Sequence, residues 1–291
     1  MKARTRAVTF ALAALLAAAC TLFTTPAIAQ SDPILAAVHA AEQRLQARVG
    51  VFVHDTGSAR VWSYREDERF PMASTVKTLV CAALLHQGSE AMDTRVAIRE
   101  SDLMEYSPVT RKRVGDAVPA SELCAITMRT SDNTAVNGVL HVMGGPATVT
   151  LFLRSIGDKS TRLDRIEPDL NEATPGDPRD TTTPRAMART LETLVLGSQL
   201  ESGAKQQLTQ WLLSNEVGGP LLRAGVPNDW KVADRTGAGG YGTRGVAAVM
   251  WPPEQAPIIA AIYLTDTEAS MDARSAAIAS IGAAIASAIA Q

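Results

Sequence analysis

The sequence predicts an α/β (α+β) protein: an antiparallel sheet flanked by helices, with an all-helical domain inserted between its two halves. Three observations carry this. β-prone segments lie towards both ends of the chain, helical segments fill the middle, and no internal repeat or low-complexity linker interrupts them. The division that follows is a leader over 1–29, an α/β domain built from 30–69 and 213–291, and a helical domain over 70–212. Beyond the leader, about 260 residues are enough to bury a large core.

Lys2, Arg4 and Arg6 form a basic start, residues 7–23 an almost unbroken apolar run, and Ala27-Ile28-Ala29 an A-x-A site before Gln30. Together they predict a secretory signal cleaved after Ala29, and a periplasmic or secreted protein. A permanent membrane anchor is the alternative, but the run is short for one. Cys20 invites a lipoprotein reading, although Ala17 stands where leucine is expected. Asp32 then caps a helix that has Pro33 at its first position and reaches about Arg48. Segments 50–55 and 60–64 read as a hairpin around Thr56-Gly57-Ser58.

Pro71, a run of good helix formers and Gly88 mark a helix of about three to four turns. Most of its positions are apolar, which predicts a buried, central helix. Further helices are expected over 122–130, 134–143, 146–156, 183–196 and 201–215. Between them, 163–183 carries Pro168, Pro175, Gly176 and Pro178 without a sustained period, which suits a compact Ω-type loop. Segments 230–234, 243–251 and 257–265 are β-prone, with Gly237-Ala238-Gly239-Gly240 expected to turn between the first two. An Ala/Ile-rich helix closes the chain over 268–290.

Removing the leader takes away three positive charges and no negative ones, so the net charge moves from −2 to −5. A mildly acidic protein with no basic block argues against nucleic acid or an anionic membrane as partner. His39, His54, His86 and His141 are scattered without metal-ligand spacing, so no metal is expected. Cys81 and Cys124 remain after cleavage. In an exported protein they read as one disulfide, with two buried thiols as the alternative.

Four short patterns point to chemistry: Ser74-Thr75-Val76-Lys77, Ser131-Asp132-Asn133, Glu167-Pro168-Asp169-Leu170-Asn171 and Arg235-Thr236-Gly237. Ser74 and Lys77 share a helix face near its N-terminus, where the helix dipole favours negative charge on a serine oxygen. An amine within hydrogen-bond reach, its pKa depressed, can take the serine proton. Alone, Ser-x-x-Lys arises by chance roughly once in a chain of this size. Asp132 and Asn133 are also ordinary turn and cap residues.

In this order and spacing the patterns resemble those of class A serine β-lactamases, over nearly the whole mature length. Tyr106-Ser107-Pro108 is similar to that family's loop at one wall of the cleft. Cys81 and Cys124 fall where many members carry a disulfide, and Arg165 and Asp180 where an ion pair closes the Ω loop. The third pattern departs by beginning with Arg235 instead of lysine. With Gly239-Gly240-Tyr241-Gly242 and Arg244 after it, this looks like the carbenicillin-hydrolysing subgroup.

The resemblance implies a serine β-lactamase and penicillin-binding-protein-like fold, and hydrolysis of penicillin-type antibiotics through a serine acyl-enzyme. Ser74 would be the nucleophile, and the backbone N–H groups of Ser74 and Ala238 the oxyanion hole. Lys77 would accept a proton, Ser131 would relay one to the leaving nitrogen, and Glu167 with Asn171 would hold the deacylating water. Tyr106, Asn133, Arg235, Thr236, Gly237 and Arg244 would bind substrate. Asp132, Arg165 and Asp180 would be structural. It implies no cofactor, a small β-lactam as the partner, no membrane contact after cleavage, and a monomer. The rivals are a penicillin-binding transpeptidase and a non-enzymatic β-lactam sensor. Glu167 with Asn171 argues for a hydrolase, because a deacylating water needs a base.

Overall fold

A computed structural model describes residues 32–290. The signal expected over 1–29, with its cleavage site and Cys20, lies outside them. In chain order, α1 (Pro33–Leu45) leads into β1 (Arg48–Asp55), β2 (Val61–Tyr64) and β3 (Phe70–Pro71). α2 (Lys77–Gln87), α3 (Ser89–Asp93), β4 (Arg95–Ala97) and β5 (Ala117–Pro119) follow. Next come α4 (Ala120–Thr130), α5 (Asn133–Val142), α6 (Pro146–Ser155), β6 (Thr181–Thr182), α7 (Pro184–Val195) and α8 (Ser202–Leu213). β7 (Lys231–Ala238), β8 (Arg244–Trp251), β9 (Ile258–Thr265) and α9 (Met271–Ile289) complete the chain.

Both ends of the chain build the main sheet. Its order is β2-β1-β9-β8-β7, and every neighbouring pair is antiparallel. Alternating side chains feed two apolar layers, as the two-residue strand period requires. Val246, Ala248 and Met250 face one way with Ile34 and Val38 of α1 and Ile278, Ile281 and Ile285 of α9. Ala247 and Val249 face the other way, into a larger layer with Leu79, Leu84, Leu123, Val139 and Leu191 from the helices. Because both faces are covered, β9 is buried at every position. α7 packs on β1, β8 and β9, so it lies against the sheet as well as beside the other helices.

α2 occupies the centre of the helical layer. Its residues from Lys77 to Leu85 are all buried, as a helix apolar on all sides must be. Cys81 and Cys124 form a disulfide that ties α2 to α4. Among the described residues α9 is long and apolar enough to cross a membrane. Its isoleucine stripe is spent on the sheet.

The sequence-based expectation fails at one strand end. Gly237 and Ala238 do not turn: they pair with Gly245 and Arg244, and the turn covers 239–243. The glycine at 237 answers a close approach, since a Cβ there would come 2.8 Å from Met72 O and 3.0 Å from Ser74 N. Two short ladders, β3 with β6 and β4 with β5, were not foreseen either. At two or three residues they are too short to show an alternating pattern.

Candidate active site

The turn that carries Ser74 is made by residues in unusual backbone states. Ala73 has φ +43° and opens a 3₁₀ turn (Ala73–Val76) that runs directly into α2. Ser131 caps the C-terminus of α4 at φ +66°, its N–H donating to Thr127 O. Left-handed backbone at non-glycine residues is uncommon and gathers at functional sites. Here it brings Ser131 Oγ to 3.1 Å from Ser74 Oγ, donating to it.

Lys77 lies beneath this pair and is fully buried. Its ammonium donates to Ser131 O at 2.8 Å, Asn133 Oδ1 at 2.6 Å and Ser131 Oγ at 3.2 Å. It also lies 3.1 Å from Glu167 Oε1. No hydrogen bond links Nζ to Ser74 Oγ among the described residues. The direct amine–hydroxyl contact expected from the sequence is replaced by a relay through Ser131 Oγ, because the ammonium is already committed to these other acceptors. Burial brings the Lys77 pKa down to about 8; Glu167 opposes the fall, and the positive charge of Arg235 adds to it.

Asp132 does not face substrate. Its buried carboxylate accepts from Val109 N, from Thr110 N and Oγ1, and from Ala135 N, where it caps α5. Four donors on one carboxylate fix the loop that precedes it against the helix. Asn133 N donates to Tyr106 O at 2.9 Å, and Tyr106, half exposed, stands on that loop.

The segment 163–183 supplies the second carboxylate. Arg165 Nε meets Asp180 Oδ2 at 2.5 Å, and Asp180 Oδ1 accepts from the backbone N–H groups of Asp164 and Arg165. Glu167 is buried, and its Oε2 accepts from Asn171 Nδ2. Apart from Lys77, Glu167 Oε1 has no partner among the described residues, and Asn171 Oδ1 has none there either. Two buried acceptors on neighbouring side chains are suited to hold a water. From the β side, Gly240 N donates to Asn171 O at 2.8 Å and docks the loop on the turn between β7 and β8.

β7 forms the opposite wall. Gly237 packs on the backbone of Ser74, and Ala238 follows it as the last residue of the strand. Arg244 on β8 donates to Gly237 O and Ser275 Oγ, each at 3.3 Å, and makes no ion pair among the described residues. Burial and then the nearby Arg274 lower its pKa. Arg235 departs from expectation. It is 0 % exposed, and its Nη1 donates to Asn215 Oδ1 at 3.0 Å. Its planar fork is therefore not laid open at the cleft, because the side chain is sealed against the end of α8. Burial lowers its pKa to about 10, against the pull of Asp234.

A model of the β-lactamase enzyme family matches residues 33–289. Beta-lactamase PSE-4 of Pseudomonas aeruginosa is 51% identical over 248 residues, 84% of this chain and 86% of its own length. Beta-lactamase CARB-3 of the same organism is 52% identical over the same shares. Among solved structures, an ancestral class A β-lactamase of Gram-negative bacteria superposes with a TM-score of 0.85 at 51% identity, covering 88% of this chain and 99% of that one. The chain belongs to the class A β-lactamases.

A class A β-lactamase is a serine hydrolase of β-lactams. Sequence reasoning passed over Asn137, which reads as an ordinary helix position. It lies one turn after Asn133 on α5; its Nδ2 donates to Glu167 O and its Oδ1 accepts from Glu167 N, both at 2.9 Å. Asn215 was missed too. Its Oδ1 takes the Arg235 bond and its Nδ2 donates to Asp234 Oδ1, which also pairs with Arg223. An asparagine four residues after Asn133 is a faint signal, and at Asn215 there was none.

Proposed function

We propose that this β-lactamase hydrolyses penicillin-type antibiotics, carbenicillin among them, and so confers resistance. The single observation that supports the reaction path is the buried series Ser74 Oγ, Ser131 Oγ, Lys77 Nζ, Glu167 Oε1, each within 3.2 Å of the next. Ser74 Oγ attacks the lactam carbonyl, whose oxygen receives the N–H groups of Ser74 and Ala238. The serine proton leaves towards Lys77 or Glu167, and Ser131 delivers a proton to the lactam nitrogen as the C–N bond breaks. Glu167 then draws a proton from a water held with Asn171. That water adds to the ester carbonyl, the bond from that carbon to Ser74 Oγ breaks, and the proton drawn by Glu167 is returned to Ser74 Oγ.

The substrate carboxylate is received by Arg244 and Thr236, with Asn133 on the side-chain amide and Tyr106 along the mouth. Arg235 acts from beneath as positive potential, and as a fork only if its side chain swings out from Asn215. Arg235 before Thr236-Gly237, the pattern of the carbenicillin-hydrolysing subgroup, is what favours carbenicillin. We hold the two-part division, 30–69 with 213–291 against 70–212, and a periplasmic or secreted monomer cleaved after Ala29, as parts of the same reading. Steady-state hydrolysis of benzylpenicillin, carbenicillin and a cephalosporin at catalytic enzyme concentration tests it. Turnover of carbenicillin comparable to benzylpenicillin is expected. A single stoichiometric burst without turnover would sink the hydrolase.

A further inference from the structure

A cavity of about 760 Å³ opens behind the catalytic side chains, between β4, α5 and the start of the Ω loop. None of Ser74, Lys77, Ser131, Glu167 or Asn171 lines it. Its volume lies within the range of small-molecule sites, roughly 300–1,000 Å³. Val96, Met104, Val142 and Ile166 give it apolar lining, and Arg95 and Arg99 stand among the same walls. Neither arginine makes an ion pair among the described residues. Arg95 Nη1 bonds only a carbonyl, Ala117 O. Apolar walls beside two uncompensated guanidinium groups select a flat, apolar body carrying one carboxylate. Asp102 also lines the cavity and disfavours a second negative charge.

The cavity shares a wall with the catalytic machinery. Asn137 lines it while both its amide atoms hold the backbone of Glu167, and Ile166, which precedes Glu167, lines it too and is partly exposed. We propose that this cavity is a regulatory site for a small aromatic carboxylate, whose occupancy shifts the Asn137–Glu167 contact and slows deacylation. The regulatory half rests on the assignment of Glu167 to deacylation; the binding half does not. A ligand acts on Glu167 only if it prefers one arrangement of Ile166 and Asn137 over the other, and couplings of this kind are typically about 5- to 150-fold.

Biphenyl-4-carboxylate is the probe, with biphenyl-4-carboxamide as its neutral counterpart. Calorimetry on the intact enzyme should give saturable one-to-one binding, at least about tenfold weaker for the amide. Arg95→Ala/Arg99→Ala should weaken carboxylate binding to a similar degree. Ala97→Trp, at an exposed position of the lining, should block it while basal turnover and melting temperature stay as in the wild type. In single-turnover mass spectrometry with benzylpenicillin, saturating probe should slow acyl-enzyme loss about fivefold or more and change its formation less than twofold. Absent binding, binding indifferent to both variants, or competition with benzylpenicillin for the cleft would overturn the site. Normal binding with unchanged acyl-enzyme loss would overturn the regulation. Calorimetry repeated on Glu167→Ala reads the cavity even if Glu167 proves not to be the deacylating base.

Discussion

Ser74, Lys77 and Ser131 stand on helices whose other side chains fill the core, whereas Glu167 and Asn171 stand on an irregular segment held by polar contacts. Around α2 the neighbours are Leu79, Val80, Leu84 and Leu85, all buried. Around the Ω loop they are the Arg165–Asp180 pair, the two amide bonds of Asn137 and the Gly240–Asn171 bond. Apolar packing yields only when a cavity opens, while a polar latch yields to the loss of one atom. On the proposed roles, acylation belongs to the sturdier part of the fold and deacylation to the part that is easier to disturb.

The largest effects separate the two parts outright. Ser74→Ala should give no adduct with benzylpenicillin, while Glu167→Ala should acylate and stall, its deacylation slowed roughly 10²- to 10⁴-fold. Intact mass spectrometry reads both; full turnover by the serine variant together with no adduct on the glutamate variant would reject the assignment. Next in size is the latch. Asn137→Ala removes two hydrogen bonds worth about 1 kcal/mol each and frees Glu167 to drift, so deacylation should fall about 10- to 100-fold with acylation nearly unchanged. An equal fall in both steps, measured by single-turnover kinetics, would mean the two parts are not separable in this way.

Arg235 offers a finer test because it acts on the sturdy part by charge. With a pKa of about 8, Lys77 is neutral in about one molecule in ten at pH 7. The Arg235 charge helps hold that pKa down, so Arg235→Ala should raise it and move the rising limb of acylation to higher pH. A limb that stays in place would assign the acylating base to Glu167. At neutral pH acylation should fall about tenfold for each unit by which the Lys77 pKa rises. Arg235→Lys should keep the benzylpenicillin rate and lower the carbenicillin rate further. An unchanged ratio of the two would remove the specificity claim.

The smallest effect on turnover is expected from the bridge. Cys81 and Cys124 lie 43 residues apart and are both buried. Replacing them with alanine should cost about 2–4 kcal/mol and lower the melting temperature by several degrees, with kcat unchanged. Calorimetric scanning beside steady-state kinetics checks it; a loss of kcat at a temperature where the variant stays folded would show that the bridge also holds Ser74 in place.

The same contrast explains what the sequence disclosed. Buried helices such as α2 announce themselves through long apolar runs, and the four catalytic patterns are local in the chain. Gly237 misled because a glycine-rich stretch reads as a turn, whereas the true demand on it is the close approach of the Met72 and Ser74 backbone, which is set by tertiary packing. Asn137 escaped because a mid-helix asparagine carries no mark of what it bonds 30 residues later. The burial of Arg235 escaped because it depends on the end of α8 and Asn215, not on anything beside it in the chain.

The pairing of β1 with β9, Arg48 opposite Thr265, has a consequence in time. A sheet whose spine joins residues more than two hundred positions apart closes late, because so distant a pairing must overcome a large loop-closure entropy before any contact rewards it. A nascent chain that ends short of Ile258 has nothing to lie between β1 and β8, and so no seat for the strand that flanks Ser74. Synthesis must therefore pass Ile258 before Ser74 has its flanking wall.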